Sequence, residues 1–106
     1  RTLFPYTTLF RSTLVKIKNG TPRLQKVVGT GSSTGALITT FSGHSDDYLL
    51  STVLGILLMG ISGEIAEKRL KVEDGNRSFK LYLHDALSNI TPQELEEYAR
   101  LTIKNL

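Results

Sequence analysis

A chain of 106 residues holds one small domain and leaves no room for two. Its 40% hydrophobic and 22% charged residues are the composition of a folded chain, and 13 Lys and Arg against 10 Asp and Glu, scattered without a stripe, exclude a nucleic-acid surface. The absence of cysteine excludes disulfides and thiolate metal sites, and His44 and His84 lie too far apart to show a metal-ligand spacing.

The first residues stand apart from the rest. Arg1 to Ser12 carries two of the four Phe without a period, and Leu3 to Ser12 resembles the translation of a short-read sequencing adapter. We read residues 1–12 as an adapter-derived artefact outside the fold. Without Arg1 and Arg11 the excess of three positive charges falls to one. No basic segment leads into an apolar run near the start, so no signal peptide is expected and the reading is cytoplasmic. The sequons at Asn19, Asn76 and Asn89 are then coincidental.

From Thr13 the pattern becomes regular. Leu14, Val15 and Ile17 between Lys16 and Lys18 predict a strand, and Asn19-Gly20 predicts a tight turn. Thr21 to Val28 is expected to return as the second arm of a hairpin. Val27-Val28 then enters Gly29-Thr30-Gly31-Ser32, and Ala36, Leu37, Ile38 and Phe41 follow at helical spacing. A strand, a glycine turn and a helix start aim several backbone N–H groups at one spot, which suits an anion such as phosphate. By itself the turn reads first as an ordinary strand-to-helix connection, and Ser32 equally as a helix N-cap.

Asp46 to Leu70 is the longest helix candidate, with an apolar stretch from Tyr48 to Ile61 broken by Ser51, Thr52, Gly55 and Gly60. A membrane span needs about 20 predominantly apolar residues, so a buried helix is expected, and no membrane. Its glycines let another helix approach closely, while Glu64, Glu67 and Lys68 read as a solvated end with local ion pairs. Beyond a polar loop over 71–77, Phe79, Tyr82, Leu83, Ala86, Leu87 and Ile90 recur at steps of three and four. His84 and Asp85 lie beside that face as surface groups. Thr91-Pro92-Gln93-Glu94 spells a capping box opening a last helix, expected to carry Leu95, Tyr98, Thr102 and Ile103 inward. A hairpin followed by about four helices is too little sheet to stand alone, and predicts the back end of a larger α/β fold.

Five motifs in order carry a resemblance: Lys18-Asn19-Gly20-Thr21-Pro22, Gly29-Thr30-Gly31, Gly60-Ile61-Ser62-Gly63-Glu64-Ile65-Ala66, Ser78-Phe79 and Asp85-Ala86-Leu87. Together they resemble the C-terminal part of the hydroxyethylthiazole kinase family, which has a ribokinase-like fold, and the likeness covers residues 13–106. The resemblance implies an incomplete C-terminal part of that α/β fold. It also implies ATP-dependent phosphorylation of 4-methyl-5-(2-hydroxyethyl)thiazole in thiamine salvage, with Mg²⁺ and a homotrimeric full-length enzyme.

By the same resemblance Gly29 contacts the thiazole alcohol, and Gly29, Thr30, Gly31 and Ser32 form the anion hole. Ser32 takes the catalytic position, where the family usually has Cys and related sugar kinases have Asp. A serine hydroxyl without a base partner orients an alcohol but is a poor general base. Gly75-Asn76-Arg77 also departs from the usual Gly-Pro-Gly. The resemblance places most of the sheet and most ATP contacts in a preceding half that this sequence does not match, so the chain alone is expected to be inactive. The alternative is a non-catalytic helical interaction module or pseudokinase remnant.

Overall fold

The computed structural model describes residues 6–10, 13–26 and 48–105. The alternation at Leu14-Val15-Lys16-Ile17 produces the expected strand. β2 spans Thr13–Ile17 and buries Val15 and Ile17 on one face while Lys16 stays in water. It is the middle of a three-stranded antiparallel sheet, with β1 (Tyr6–Phe10) on one edge and β3 (Leu101–Asn105) on the other. Tyr6 lies opposite Ile17 and Phe10 opposite Thr13, while Val15 faces Ile103 and Ile17 faces Leu101. Residues 6–10 are thus paired in the structure, although the sequence reading sets 1–12 apart. Such pairing requires only an extended, β-prone stretch beside an open edge, which Tyr-Thr-Thr-Leu-Phe supplies.

The expected second arm over Thr21 to Val28 is corrected. Pro22–Lys26 is a 3₁₀ helix, and the hairpin that forms pairs β2 with β1 instead. Val27 and Val28 lie outside the described residues. The turn at Asn19-Gly20 does not reverse into a ladder, because Thr21 caps the next turn. Its carbonyl accepts from the Leu24 N–H at 3.1 Å and its hydroxyl from the Arg23 N–H at 3.3 Å.

The long helix is α1, Tyr48–Arg69. It is long and apolar enough to cross a membrane by composition, yet its residues fill both cores of the fold. Ile56, Leu57 and Ile61 pack with Val15 and Ile17 of the sheet, while Met59 and Ala66 pack with Leu24 and with Phe79 and Leu83. A helix with a sheet on one side and a second helix on another is apolar on most of its surface. That is the physical reason for the hydrophobic run.

The second helix, α2, spans Asn76–Asn89 and buries Phe79, Leu83 and Ala86 as their spacing predicts. Tyr82 and Leu87 lean on the same cluster, and the Arg69 guanidinium sits 4.2 Å from the Tyr82 ring centroid. Gly75 precedes the helix in extended backbone, and a loop closed by the Lys71 N–H donating to Asp74 Oδ2 at 2.9 Å leads into it. His84 and Asp85 are exposed, with Asp85 paired to Arg69 at 3.6 Å.

The expected capping box is present. Thr91 Oγ1 accepts from the Glu94 N–H at 3.2 Å, and Glu94 Oε1 accepts from the Thr91 N–H at 3.0 Å, opening α3 at Pro92–Tyr98. The extent of this last helix is corrected: it stops at Tyr98, and Thr102 and Ile103 lie exposed on β3. Asn19 causes the change. It takes the Tyr98 carbonyl and the Arg100 N–H for itself, and the Lys18 N–H takes the Arg100 carbonyl at 2.8 Å. Those groups are no longer free to continue a helical ladder.

Ser62 lies fully buried on α1, and its hydroxyl lacks a hydrogen-bond partner among the described residues. A desolvated, unpaired hydroxyl is unfavourable, so Ser62→Ala should stabilise the chain by about 1 kcal/mol. A rise in the urea midpoint without a change in slope is the expected reading; a lower midpoint would show that the hydroxyl is satisfied.

Candidate functional site

The turn that leads toward the glycine-rich segment is held by two carboxylates of α1. Glu64 and Glu67 are three residues apart, so they lie on one face of the helix, one turn from each other. That face also carries Gly60 and Gly63. A methyl group at Gly60 would stand 2.8 Å from the Asn19 carbonyl oxygen, and one at Gly63 would stand 3.1 Å from the Leu24 side chain. The glycines therefore let Lys18 to Leu24 lie directly on the helix. Their partner is this turn and the 3₁₀ helix rather than another helix.

Asn19 is wholly buried, and its amide makes three hydrogen bonds that use both of its donors. Nδ2 donates to Glu64 Oε1 and to the Tyr98 carbonyl, each at 2.9 Å, and Oδ1 accepts from the Arg100 N–H at 2.6 Å. Glu64 Oε2 accepts from the Gly20 N–H at 3.2 Å and from Arg100 Nη2 at 2.6 Å. Gly20 has φ 140°, in the region that favours glycine, which lets its N–H turn toward the carboxylate. One turn further along, Glu67 Oε2 accepts from the Thr21 hydroxyl at 3.0 Å and from Arg23 Nε at 3.1 Å. The helix end is solvated as expected at Glu67 and Lys68, which are exposed, while the expectation of local ion pairs is corrected. Both glutamates reach across the fold, because the two glycines bring the turn within their range.

Beside this clamp lies a cleft of about 540 Å³ between α1 and α3, with Gly20, Glu64, Lys68, Tyr98 and Arg100 on its walls. Tyr98, expected as a core or interface residue, stands at its edge with more than a third of its surface exposed. Among the described residues no group of three or more His, Asp or Glu side chains converges on a metal position.

The sequence-predicted site residues Gly29, Thr30, Gly31 and Ser32 lie outside the described residues, as do the helix expected after them and His44. The structure describes what precedes and follows them: β2 and the clamped turn before, α1 after. Sequence reasoning missed the clamp. Its signal was nonetheless present, in a Gly-x-x-Gly-Glu-x-x-Glu pattern on one helix and an Asn-Gly-Thr turn able to meet it.

A sheet, a buried helix and a covering helix, with a glycine-rich connection between clamped turn and buried helix, make up the C-terminal part of a ribokinase-like α/β fold. The comparisons with known proteins agree. The hydroxyethylthiazole kinase family profile matches residues 11–93. Hydroxyethylthiazole kinase of Clostridium beijerinckii is 44% identical over 89 residues, covering 83% of this chain and 32% of its own length. That of Alkaliphilus oremlandii is 39% identical over 85 residues, covering 80% and 31%. A solved structure, the hydroxyethylthiazole kinase protein from Pyrococcus horikoshii OT3, superimposes with a TM-score of 0.77 at 27% identity, over 88% of this chain and 35% of that one. The chain belongs to the hydroxyethylthiazole kinase family, and it spans about a third of the length of the curated relatives it matches.

Proposed function

We propose that this chain is the C-terminal segment of a cytoplasmic, homotrimeric kinase that transfers the ATP γ-phosphoryl group to the alcohol of 4-methyl-5-(2-hydroxyethyl)thiazole in thiamine salvage, and that it is inactive by itself. The observation carrying this reading is the family match over residues 11–93, which runs through Gly29-Thr30-Gly31 and the helix that clamps the preceding turn. ATP would supply the phosphoryl group and Mg²⁺ would neutralise its charge. We assign no Mg²⁺ ligand to this chain.

Each residue of the glycine segment has a definite part. Gly29 lets the substrate alcohol approach the backbone, since no side chain intervenes. The N–H groups of Gly29, Thr30, Gly31 and Ser32 offer fixed dipoles to the charge that builds on the transferred group, the term that does most of the work in phosphoryl transfer. Ser32 orients the alcohol by a hydrogen bond without taking its proton. Holding the turn at Asn19-Gly20 rigid supports this arrangement by fixing where the segment starts.

The test joins residues 13–106 to the preceding part of the Clostridium beijerinckii kinase and measures thiazole-dependent ADP formation. Turnover by the joined protein, with none from the chain alone, is the expected result. A folded joined protein without such turnover would overturn the assignment. Within it, Ser32→Asp should raise kcat, because a positioned general base is worth about 10²–10⁴-fold. An unchanged or lower kcat with the fold intact would remove Ser32 from the base position. The second reading, a non-catalytic interaction module or pseudokinase remnant, rests on Ser32, since the resemblance implies cysteine at that position.

A further inference from the structure

We propose that Asn19-Gly20 is a latent covalent modification site: when the turn opens locally, the asparagine converts to aspartyl and isoaspartyl residues, and Glu64 keeps it unreacted while the turn is closed. The proposal concerns the chain itself and does not depend on the kinase assignment.

The chemistry lies in the dipeptide. The Gly20 backbone nitrogen attacks Asn19 Cγ and gives up its proton. A C–N bond forms, Asn19 Nδ2 takes a proton and leaves as ammonia, and a five-membered succinimide ring remains. Water then opens the ring. Cleavage between Cγ and the nitrogen gives an aspartyl residue. Cleavage between the main-chain carbonyl carbon and the nitrogen gives an isoaspartyl residue, with the backbone rerouted through the side chain. Water enters and ammonia leaves, and nothing is oxidised or reduced. A glycine in second place favours the attack, since no Cβ crowds the nitrogen and the backbone turns freely. Asn76, Asn89 and Asn105 are followed by Arg, Ile and Leu instead.

The closed turn holds this reaction back at both reacting groups. The Gly20 N–H donates to Glu64 Oε2 at 3.2 Å, so the nitrogen keeps its proton beside a negative charge that opposes an amide anion. Asn19 Nδ2 is tied to Glu64 Oε1 and to the Tyr98 carbonyl, which stops Cγ from swinging onto the nitrogen. The residue is 0% exposed, so water does not reach it. The Arg100 N–H acts in the opposite sense, because a donor on Oδ1 stabilises the oxyanion formed on attack. Protection therefore rests on Glu64, whose two oxygens hold the two reacting partners apart.

Conversion is one-way. Both products carry a carboxylate where the amide was, so neither restores the paired donation to Glu64 and the Tyr98 carbonyl. An opening that is reversible in the unreacted chain becomes permanent in each molecule that reacts.

The experiment incubates the full chain at neutral pH, folded and in urea. The peptide holding residues 19 and 20 is read by mass spectrometry for the change from amide to carboxyl, with the two products separated by chromatography. The folded chain should convert at least about a hundredfold more slowly than the unfolded one, because the open fraction sets the rate. Folded Glu64→Gln should convert at least about tenfold faster than the unaltered chain. Its single oxygen can serve Asn19 or Gly20 but not both, so one reacting group is freed whichever way the amide lies. Leu83→Ala, a core change on α2 outside the clamp, is the reference for global unfolding. At urea concentrations that give the two variants equal stability, it should convert several-fold more slowly than Glu64→Gln. One further measurement needs no variant: in the unaltered chain, conversion should stay nearly flat at low urea, as local opening requires. Equal rates in the folded and unfolded chain would overturn the proposal. So would equal rates for the two variants at matched stability, or conversion that rises with urea as steeply as global unfolding.

Discussion

Asn19→Ala should lower the stability of the chain by about 3 kcal/mol. The amide makes three hydrogen bonds from a position with no exposure, and one of them goes to a carboxylate. Removing it leaves the Arg100 N–H and the Tyr98 carbonyl without their partner, and takes from Glu64 one of its donors. Each such loss costs about 1 kcal/mol, and unpaired buried groups cost more. Asn19→Asp is the sharper variant. It keeps the shape but replaces the two-hydrogen donor Nδ2 with one acceptor oxygen, which then faces Glu64 Oε1 and the Tyr98 carbonyl. At neutral pH it should destabilise at least as much as alanine. Urea unfolding of both variants provides the measurement, and a loss below about 1 kcal/mol for either would show that water replaces the amide.

Gly60→Ala is expected to have the second large effect, about 2 kcal/mol of destabilisation, against the usual direction of a Gly→Ala change in a helix. Intrinsic preference alone would favour alanine by about 1 kcal/mol. The new methyl, however, would stand 2.8 Å from the Asn19 carbonyl oxygen and 3.0 Å from its carbon. These are backbone atoms of the clamped turn, so relief requires moving the turn away from Glu64 and breaking its bonds. Gly63→Ala is the matched control. Its close neighbours are Cγ and the two Cδ atoms of Leu24, which can rotate, so the net change should stay within about 1 kcal/mol. Thermal melts of the pair decide the matter: equal Tm values would mean that the turn is not pinned at Asn19.

These two predictions bear on function through a common route. The carbonyl that fills the space above Gly60 and the amide that ties Glu64 to Tyr98 belong to the same residue, ten positions before Gly29. A turn held from three sides fixes where the following segment leaves the sheet. In a joined enzyme, variants that loosen it should raise KM and lower kcat together, since both substrate contact and phosphoryl alignment are proposed to depend on that segment.

Local pattern decided much of this molecule. The alternation at Leu14 to Ile17, the apolar run that becomes α1, the three-and-four spacing of α2, and the Thr91–Glu94 capping box each depend on neighbours within one or two turns, and all appear as the sequence predicts. The ordered motifs likewise point to the family that the comparisons show. Partnerships across the chain were not legible. Nothing local tells Leu101 to Asn105 to leave the helical register and pair with β2; the coil at Pro22 to Lys26, by contrast, starts from bonds that Thr21 accepts within three residues. That pairing is set by Asn19 and Glu64, whose hydrogen bonds span dozens of residues and exist only once the glycine face of α1 has let the turn approach. Short-range periodicity records which surface of an element is buried; which backbone groups are claimed by a distant side chain is decided only when the elements meet.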